Sequence, residues 1–412
     1  MGRGIRVQVV NNTSGTFTVG VENLDDIIRG ASGSNPNALN GEVGPAPNNT
    51  LPADGPQYIE TYSDVRDGRF SIVIKEKASR KHVASLNFKG SRRGFRNTLR
   101  RLESPDTMVD ALMSDNKIEI TIDRDTTIAP GFPYMKLVFS DNGALQNASD
   151  VRLIDAMVRK HGLTDLMFFA HGFNNSQSDA RDVFRSYFEK FKQTAPPKKL
   201  GVVGVTWPSQ AADVSAEANG LAKVMVGAAK FLAFYKMHGL AGKVGERLGG
   251  VANRLAQLQP NLNMHLAGHS MGGHLAASAL AKIDNPKRVK SVFLIQAATS
   301  AVIFSPIGAL RGLHKKLGGP LVATHSLGDS QVTFGWTAAQ SVNGVLNRNI
   351  AAMGAVGLMT TDAHRLTLGP RTAIYDFAPA KAYSLHCPKL KGHDDYKKAA
   401  IARAHQAAAG LV

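Results

Sequence analysis

One cysteine, Cys387, occurs in 412 residues, so the chain holds no internal disulfide and its stability does not depend on an oxidising compartment. Tryptophan is almost as rare: Trp207 and Trp336 are the only two. No stretch interleaves basic and aromatic residues, so nucleic acid is not expected as the main partner. The sequence has no H-E-x-x-H, no paired cysteines and no carboxylate cluster, and it lacks the glycine patterns that cradle dinucleotides or nucleotide phosphates. Neither a metal nor another cofactor is therefore expected. No uncharged apolar run is long enough to cross a bilayer, since the most apolar stretch, residues 220–239, is broken by Lys223, Lys230 and Lys236. The chain opens MGRGIRVQVV, without an apolar core of signal-peptide length, and Arg6 stands where myristoylation prefers Ser or Thr. The expectation is a cytoplasmic protein, with export by a signal-independent route left open.

Acidic residues are scarce in one part of the chain only. The net charge is +17, yet residues 1–150 carry 18 Lys or Arg against 18 Asp or Glu, and residues 151–412 carry 31 against 14. Even the neutral part is polarised: residues 69–101 hold eleven basic side chains and the single acid Glu76. Surfaces of this kind attract polyanions, an anionic membrane surface among them; a solvated basic face without a ligand is the plainer alternative. Apolar content of 43% and charged content of 20% are those of a globular protein, and the length allows two cores.

The first 140 residues read as short strands separated by turns. Ile5–Val10, 16–19, 58–62, 69–74, 82–88, 117–122 and 134–139 have strand composition, with Asp67-Gly68 as turn chemistry and residues 30–55 as a long loop. These predict an all-β, sandwich-like domain over residues 1–140, preceding a catalytic domain over 141–412. The order of strands and turn clusters resembles the small membrane-active sandwiches of the aegerolysin and hemolysin-like group, although no short motif carries the likeness; an ordinary accessory sandwich is the alternative.

From about residue 149 apolar strands alternate with helical spacing, which predicts a mostly parallel sheet covered on both faces. The central feature is LNMHLAG-His269-Ser270-Met271-Gly272-Gly273-HLAASALAKI: a strand, a turn of small residues and a helix. G-x-S-x-G at a strand-to-helix turn is a nucleophile elbow, with Ser270 at the apex in a strained conformation and Gly268 and Gly272 giving room on either side. A competing H-S-x-G occurs at His325-Ser326-Leu327-Gly328, but Thr324 occupies the position of its first glycine.

Together F-F-A-H-G-F-N-N-S (168–176), V-T-W-P-S (205–209) and G-H-S-M-G-G (268–273) resemble the α/β-hydrolase superfamily, and within it a lipase-like group with an H-G-[FY]-N signature. The likeness covers about residues 150–410. It implies an α/β-hydrolase fold and a Ser-acid-His order along the chain. It also implies an oxyanion hole formed by the N–H groups of Phe173 and Met271, with His171, Gly172 and Asn174 shaping the loop and His269 in a structural role beside the nucleophile. On this reading Ser270 is the nucleophile. Asp329, after a strand at 321–324, is the acid, with Asp362 as the alternative. His393, in the loop before the last helix, is the base, with His364, His386 and His405 as alternatives. The activity implied is hydrolysis of carboxylic esters, lipid or phospholipid acyl esters foremost. A thioesterase, an amide or small-ester hydrolase, or a membrane-binding protein without catalysis are the other readings. Residues 220–239 read either as a core helix or as a lid over the acyl pocket.

Overall fold

The computed structural model describes residues 4–11, 15–25, 27–28, 36–45, 48–53, 57–61, 69–80, 82–91, 94–101, 108–114, 117–123, 127–129, 131–146, 150–173, 177–191, 199–209, 221–332, 336 and 351–412. The expected turn at Asp67-Gly68 lies outside them. Two compact units are present: Met1–Thr126 with Gln146–Ala156, and Thr127–Leu145 with Met157–Val412.

The first unit is a β-sandwich. One sheet contains β1 (Gly4–Asn11), β3 (Ile27–Ile28), β5 (Thr50–Leu51), β6 (Gln57–Thr61), β10 (Met108–Ser114) and β11 (Lys117–Asp123). The other has the order β4-β2-β7-β8-β9, from β2 (Phe17–Asp25), β4 (Gly41–Val43), β7 (Arg69–Glu76), β8 (His82–Ser91) and β9 (Gly94–Arg101). Every pairing is antiparallel except that of β1 with β11. Alternate residues of both sheets enter one core: Val7, Val9, Ile120 and Ile122 from the first, Phe17, Ile72, Leu86 and Phe88 from the second. Strands β4 and β5 fall inside the stretch expected to be a long loop.

The second unit is built on a nine-stranded sheet, β12-β13-β15-β14-β16-β17-β18-β20-β19 among the described residues. Its strands are β12 (Thr127–Ala129), β13 (Phe132–Val138), β14 (Asp165–Ala170), β15 (Leu200–Thr206), β16 (Asn263–His269), β17 (Val289–Ile295), β18 (Leu321–His325), β19 (Ala363–Thr367) and β20 (Ala382–His386). All pairs from β13 to β19 are parallel, and only the β12 edge is antiparallel. Helices α1 (Asp150–His161), α2 (Gln177–Phe188), α3 (Leu221–Leu258) and α4 (Met271–Leu280) connect them.

The expected domain boundary at residue 140 is corrected by this topology. Residues 132–138 do not complete the sandwich; they pair in parallel with β15. The reason is burial: all seven residues of β13 are buried, as a strand covered on both faces requires, whereas β11 alternates Ile with Lys, Glu and Thr. The first division falls between residues 126 and 127, and Gln146–Ala156 belong again to the first unit.

Residues 221–239 are not a separate element but the start of α3, which runs unbroken for 38 residues, and Gly220 lies outside the described residues. The side chains of 221–233 lie outside the described residues, those of Lys223, Lys230 and Phe231 included. Phe234 is half-buried and Tyr235 and Lys236 are exposed, while Leu240, Ala241, Val244 and Leu248 are buried. Among the described residues no helix is long and apolar enough to cross a membrane. The buried half of α3 lies against α4, and close approach depends on Gly245: a β-carbon there would meet the Ser278 Cβ at 2.6 Å and the backbone of α4. Gly250, one turn on, faces open space. Gly245→Val should therefore push the two helices apart and cost about 1–3 kcal/mol. Gly250→Ala should add about 0.5–1 kcal/mol through helix propensity alone. Thermal unfolding of the two variants checks this, and equal shifts would remove the packing argument.

Candidate active site

In a parallel sheet every strand delivers its carboxyl end to the same edge, where loops are free to carry chemistry. Here β14 leads into His171, Gly172 and Phe173, β16 into Ser270, β17 into Gln296, β18 into the loop ending at Asp329, and β20 into the segment holding His393. The candidate residues, scattered in sequence from His171 to His393, thus meet along one rim.

Ser270 has φ 56° and ψ −121°, far from the ordinary wells of an L-residue. A chain turning that sharply brings strand and helix into contact on both sides of the apex. A β-carbon on Gly268 would strike the Gly272 backbone, and one on Gly272 would strike the carbonyls of Ala170 and His171. The backbone of Ser270 is tied to the neighbouring strand end, donating to the Ile295 carbonyl at 2.9 Å and accepting from the Ala298 N–H at 2.9 Å. Met271 opens α4, where amides have no partner one turn earlier.

Asp329 is completely buried and accepts three hydrogen bonds: from His393 Nδ1–H at 2.7 Å and Gln296 Nε2–H at 2.6 Å on Oδ2, and from the Val332 N–H at 3.2 Å on Oδ1. The His393 side chain is 13% exposed and Ser270 4%. The site therefore grades from a sealed carboxylate to an imidazole that solvent reaches. The His393 loop is braced by Asp395, whose carboxylate accepts from the N–H groups of Lys391 (2.8 Å) and Gly392 (3.3 Å). The Lys398 ammonium, 2.8 Å away, holds Asp395 below the usual carboxylate range.

His269 connects the Ser270 turn with His393. Burial, reinforced by the neighbouring His393, holds it well below the ordinary imidazole range, so it is neutral. Its Nε2–H donates to the His393 carbonyl at 3.1 Å, and its ring stacks on Tyr396 with centroids 3.7 Å apart. His171 is buried and fixed differently. Its Nδ1 lies 2.9 Å from the Gly172 carbonyl, its Nε2 accepts the Trp207 N–H at 3.3 Å, and its carbonyl accepts the Trp207 indole N–H at 3.1 Å. Those bonds assign the proton to Nδ1. Gly172 lets this loop touch the elbow, since a β-carbon there would meet Ser270 Cβ at 3.1 Å. The Phe173 ring meets Phe234 of α3 edge-on at 5.8 Å. Asn174, with Asn175 and Ser176, lies outside the described residues.

The alternatives are placed elsewhere. Asp362 bonds His314 (3.0 Å), Lys315 (2.8 Å) and Thr360 (2.7 Å), not His393. His386 stacks on His325, His364 on Tyr383, and His405 is buried against Phe293 with its Nδ1 2.9 Å from the Tyr187 hydroxyl. Ser326, the competing serine, is not at a positive φ; its hydroxyl donates to the Leu390 carbonyl at 3.0 Å and accepts the Gly328 N–H at 3.2 Å. It ties the Asp329 loop to the segment that leads to His393. A second Ser-His-Asp chain, Ser291-His265-Asp165, joins by contacts of 2.8 and 3.0 Å at the opposite end of the strands. Each of its members is at most 1% exposed, so no substrate reaches it. Gln296 carries no motif in the sequence and was not among the expected site residues. Among the described residues no three His, Cys, Asp or Glu side chains gather as a metal site.

Residues 146–306 match the model of a family described as "Alpha/beta hydrolase of unknown function (DUF900)". The second unit has an α/β-hydrolase fold. Three solved structures are similar to the chain. TT1662 from Thermus thermophilus is 15% identical, over 60% of this chain and 87% of its own, with a TM-score of 0.32. The Trichoderma reesei cutinase in complex with a phosphonate inhibitor is 17% identical, over 43% and 74%, with a TM-score of 0.22. A lipase-esterase related protein from Clostridium acetobutylicum is 12% identical, over 60% and 95%, with a TM-score of 0.23. No curated protein matches.

The two candidate serines separate in a simple experiment. Ser270→Ala should abolish covalent labelling by a fluorophosphonate probe at unchanged thermal stability. Ser326→Ala should keep the labelling and lose about 1 kcal/mol of stability with its buried hydrogen bonds. The opposite pattern of labelling would move the nucleophile to residue 326.

Proposed function

We propose that the chain is a serine hydrolase of carboxylic esters, with acyl esters of lipids or phospholipids as its substrate class. The observation that carries the reading is the 2.7 Å contact of a fully buried Asp329 carboxylate with His393 Nδ1, on the sheet edge where Ser270 stands at positive φ. A carboxylate accepts at Nδ1 only if Nδ1 carries the proton, which leaves Nε2 as the basic nitrogen.

The mechanism follows from those roles. His393 Nε2 takes the Ser270 proton as Oγ attacks the ester carbonyl, and Asp329 stabilises the imidazolium that forms. The carbonyl oxygen, now negative, lies against the N–H groups of Met271 and Phe173. The tetrahedral intermediate collapses, the alcohol leaves with the proton from His393, and Ser270 keeps the acyl group. Water, deprotonated by the same imidazole, then attacks the acyl-enzyme and releases the acid.

Two features support a lipid substrate. The excess of 31 basic over 14 acidic residues in 151–412 favours an anionic interface. The apolar start of α3 brings Phe234 onto Phe173 beside the site, with Tyr235 58% exposed. In this reading residues 221–239 act as a lid that yields at a lipid surface, and the sandwich unit with its basic strands β7–β9 adds to membrane attraction.

Replacing Ser270 or His393 by Ala should lower kcat/KM on a nitrophenyl ester by about 10⁴-fold or more, and Asp329→Asn by roughly 10²–10⁴-fold. Full activity in any of the three rejects the triad. Turnover of phospholipid in anionic vesicles should fall between about 0.1 and 1 M salt, as the Debye length shrinks from about 10 to 3 Å, while a soluble short-chain ester is unaffected. Phe234→Ser should likewise lower vesicle turnover and spare the soluble ester; equal loss on both substrates rejects the lid.

A further inference from the structure

Among the described residues only Arg80, Ser270, Gln296 and Ala380 are non-glycine residues at positive φ. Two of these end adjacent strands of the hydrolase sheet, Ser270 after β16 and Gln296 after β17. One is accounted for by the elbow. The other, at φ 43°, is completely buried and belongs to no motif.

Its surroundings hold it on every side. The residue before it and the one two places after it are bonded to the nucleophile's backbone, through Ile295 O and Ala298 N–H, each at 2.9 Å. The Gln296 N–H donates to Thr324 Oγ1 at 3.0 Å, on the strand that leads to the acid loop. Gly354 then bridges the two loops, donating to the Ala297 carbonyl and accepting from the Ser326 N–H, each at 2.9 Å. From this clamped turn the side chain reaches Asp329, with Nε2 2.6 Å from Oδ2, the oxygen that also receives His393 Nδ1–H. The amide orientation is forced, because an ionised carboxylate only accepts and so the near atom must be the NH₂ group. Oε1 is left buried with no hydrogen-bond partner among the described residues. A side chain present only to fill space would not leave an acceptor stranded in order to point its donor at a carboxylate.

We propose that Gln296 is a positioning residue for Asp329: its amide fixes the carboxylate so that Oδ2, and not another rotamer, faces the His393 imidazole. The proposal rests on the serine-hydrolase reading above. A buried carboxylate held by His393 and one backbone N–H alone could rotate about χ2 and hand the imidazole a misaligned acceptor. With the amide on the same oxygen, only one rotation satisfies all three donors. The effect passes through Asp329 to the orientation of His393, so it belongs to the chemical step and not to substrate binding.

The test is a double-mutant cycle in the full chain, read on a soluble nitrophenyl ester. Gln296→Met keeps the length of the side chain and removes the donor. It should lower kcat by about 10–100-fold with KM within about twofold, and slow labelling of Ser270 by a fluorophosphonate to the same degree. In an Asp329→Asn background the same change should cost less than about threefold, since the partner it acts through is already altered. Should Gln296→Met not fold, Gln296→Asn, whose amide stops one methylene short, carries the same expectations. Wild-type kcat in the folded variant, or equal losses in both backgrounds, overturns the proposal and makes Gln296 a packing residue. Ser270→Ala distinguishes the two levels. If it abolishes turnover while Gln296→Met is fully active, only the positioning role falls; if it retains turnover, the serine-hydrolase reading falls and this proposal with it.

Discussion

A carboxylate with no exposed surface is among the most expensive groups a protein core can hold, and it is tolerated only where donors replace the water it has lost. Asp329 meets that demand with three donors from three places: an imidazole after β20, an amide after β17 and a backbone N–H of its own loop. None of them can be moved without leaving charge unpaired in a dry site. The loops at the carboxyl edge are therefore not independent appendages. The demand of one side chain fixes where three of them must stand, and the parallel sheet makes it possible by bringing all their strands to the same edge.

The elbow imposes a second constraint, of space. Ser270 stands at positive φ because strand and helix meet without a connecting loop, and that proximity excludes side chains at 268 and 272. The helix so placed must then be covered, and α3 covers it at a separation that Gly245 and Gly249 permit. Backbone strain at the apex is thus offset by packing on both sides of it. The Ser270 turn and the His393 segment share a further tie through neutral His269, whose ring N–H donates to the His393 carbonyl.

What could be read from the sequence was what is local. The elbow and the His171-Gly172 turn announce themselves because their chemistry needs particular small residues at short, fixed spacing. The boundary at residue 140 was misread for a related reason: strand composition says that 132–138 is extended, not which sheet it joins. A signal was available, since FPYMKLV lacks the alternation of KIEITID, but Lys136 in its middle disguised a strand in which even that lysine is buried. Gln296 was not legible at all. Its role depends on a turn at φ 43° and on a partner 33 residues away, and neither leaves a pattern in neighbouring letters.

Thr324 shows how far the same letters can mislead and still inform. It stands where the second H-S-x-G would need a glycine, and it separates that copy from the elbow. From the sequence alone this is merely a failed motif. In the structure the threonine hydroxyl accepts the Gln296 N–H, and Ser326, the would-be nucleophile, spends its own hydroxyl on the Leu390 carbonyl. A glycine at 324 would remove the first bond, and a serine lifted into an elbow at 326 would break the second. The Asp329 loop would then lose one of its ties to the turn after β17 and one of its ties to the segment that carries His393. The second copy cannot become an elbow without removing part of what holds the Asp329 loop in place.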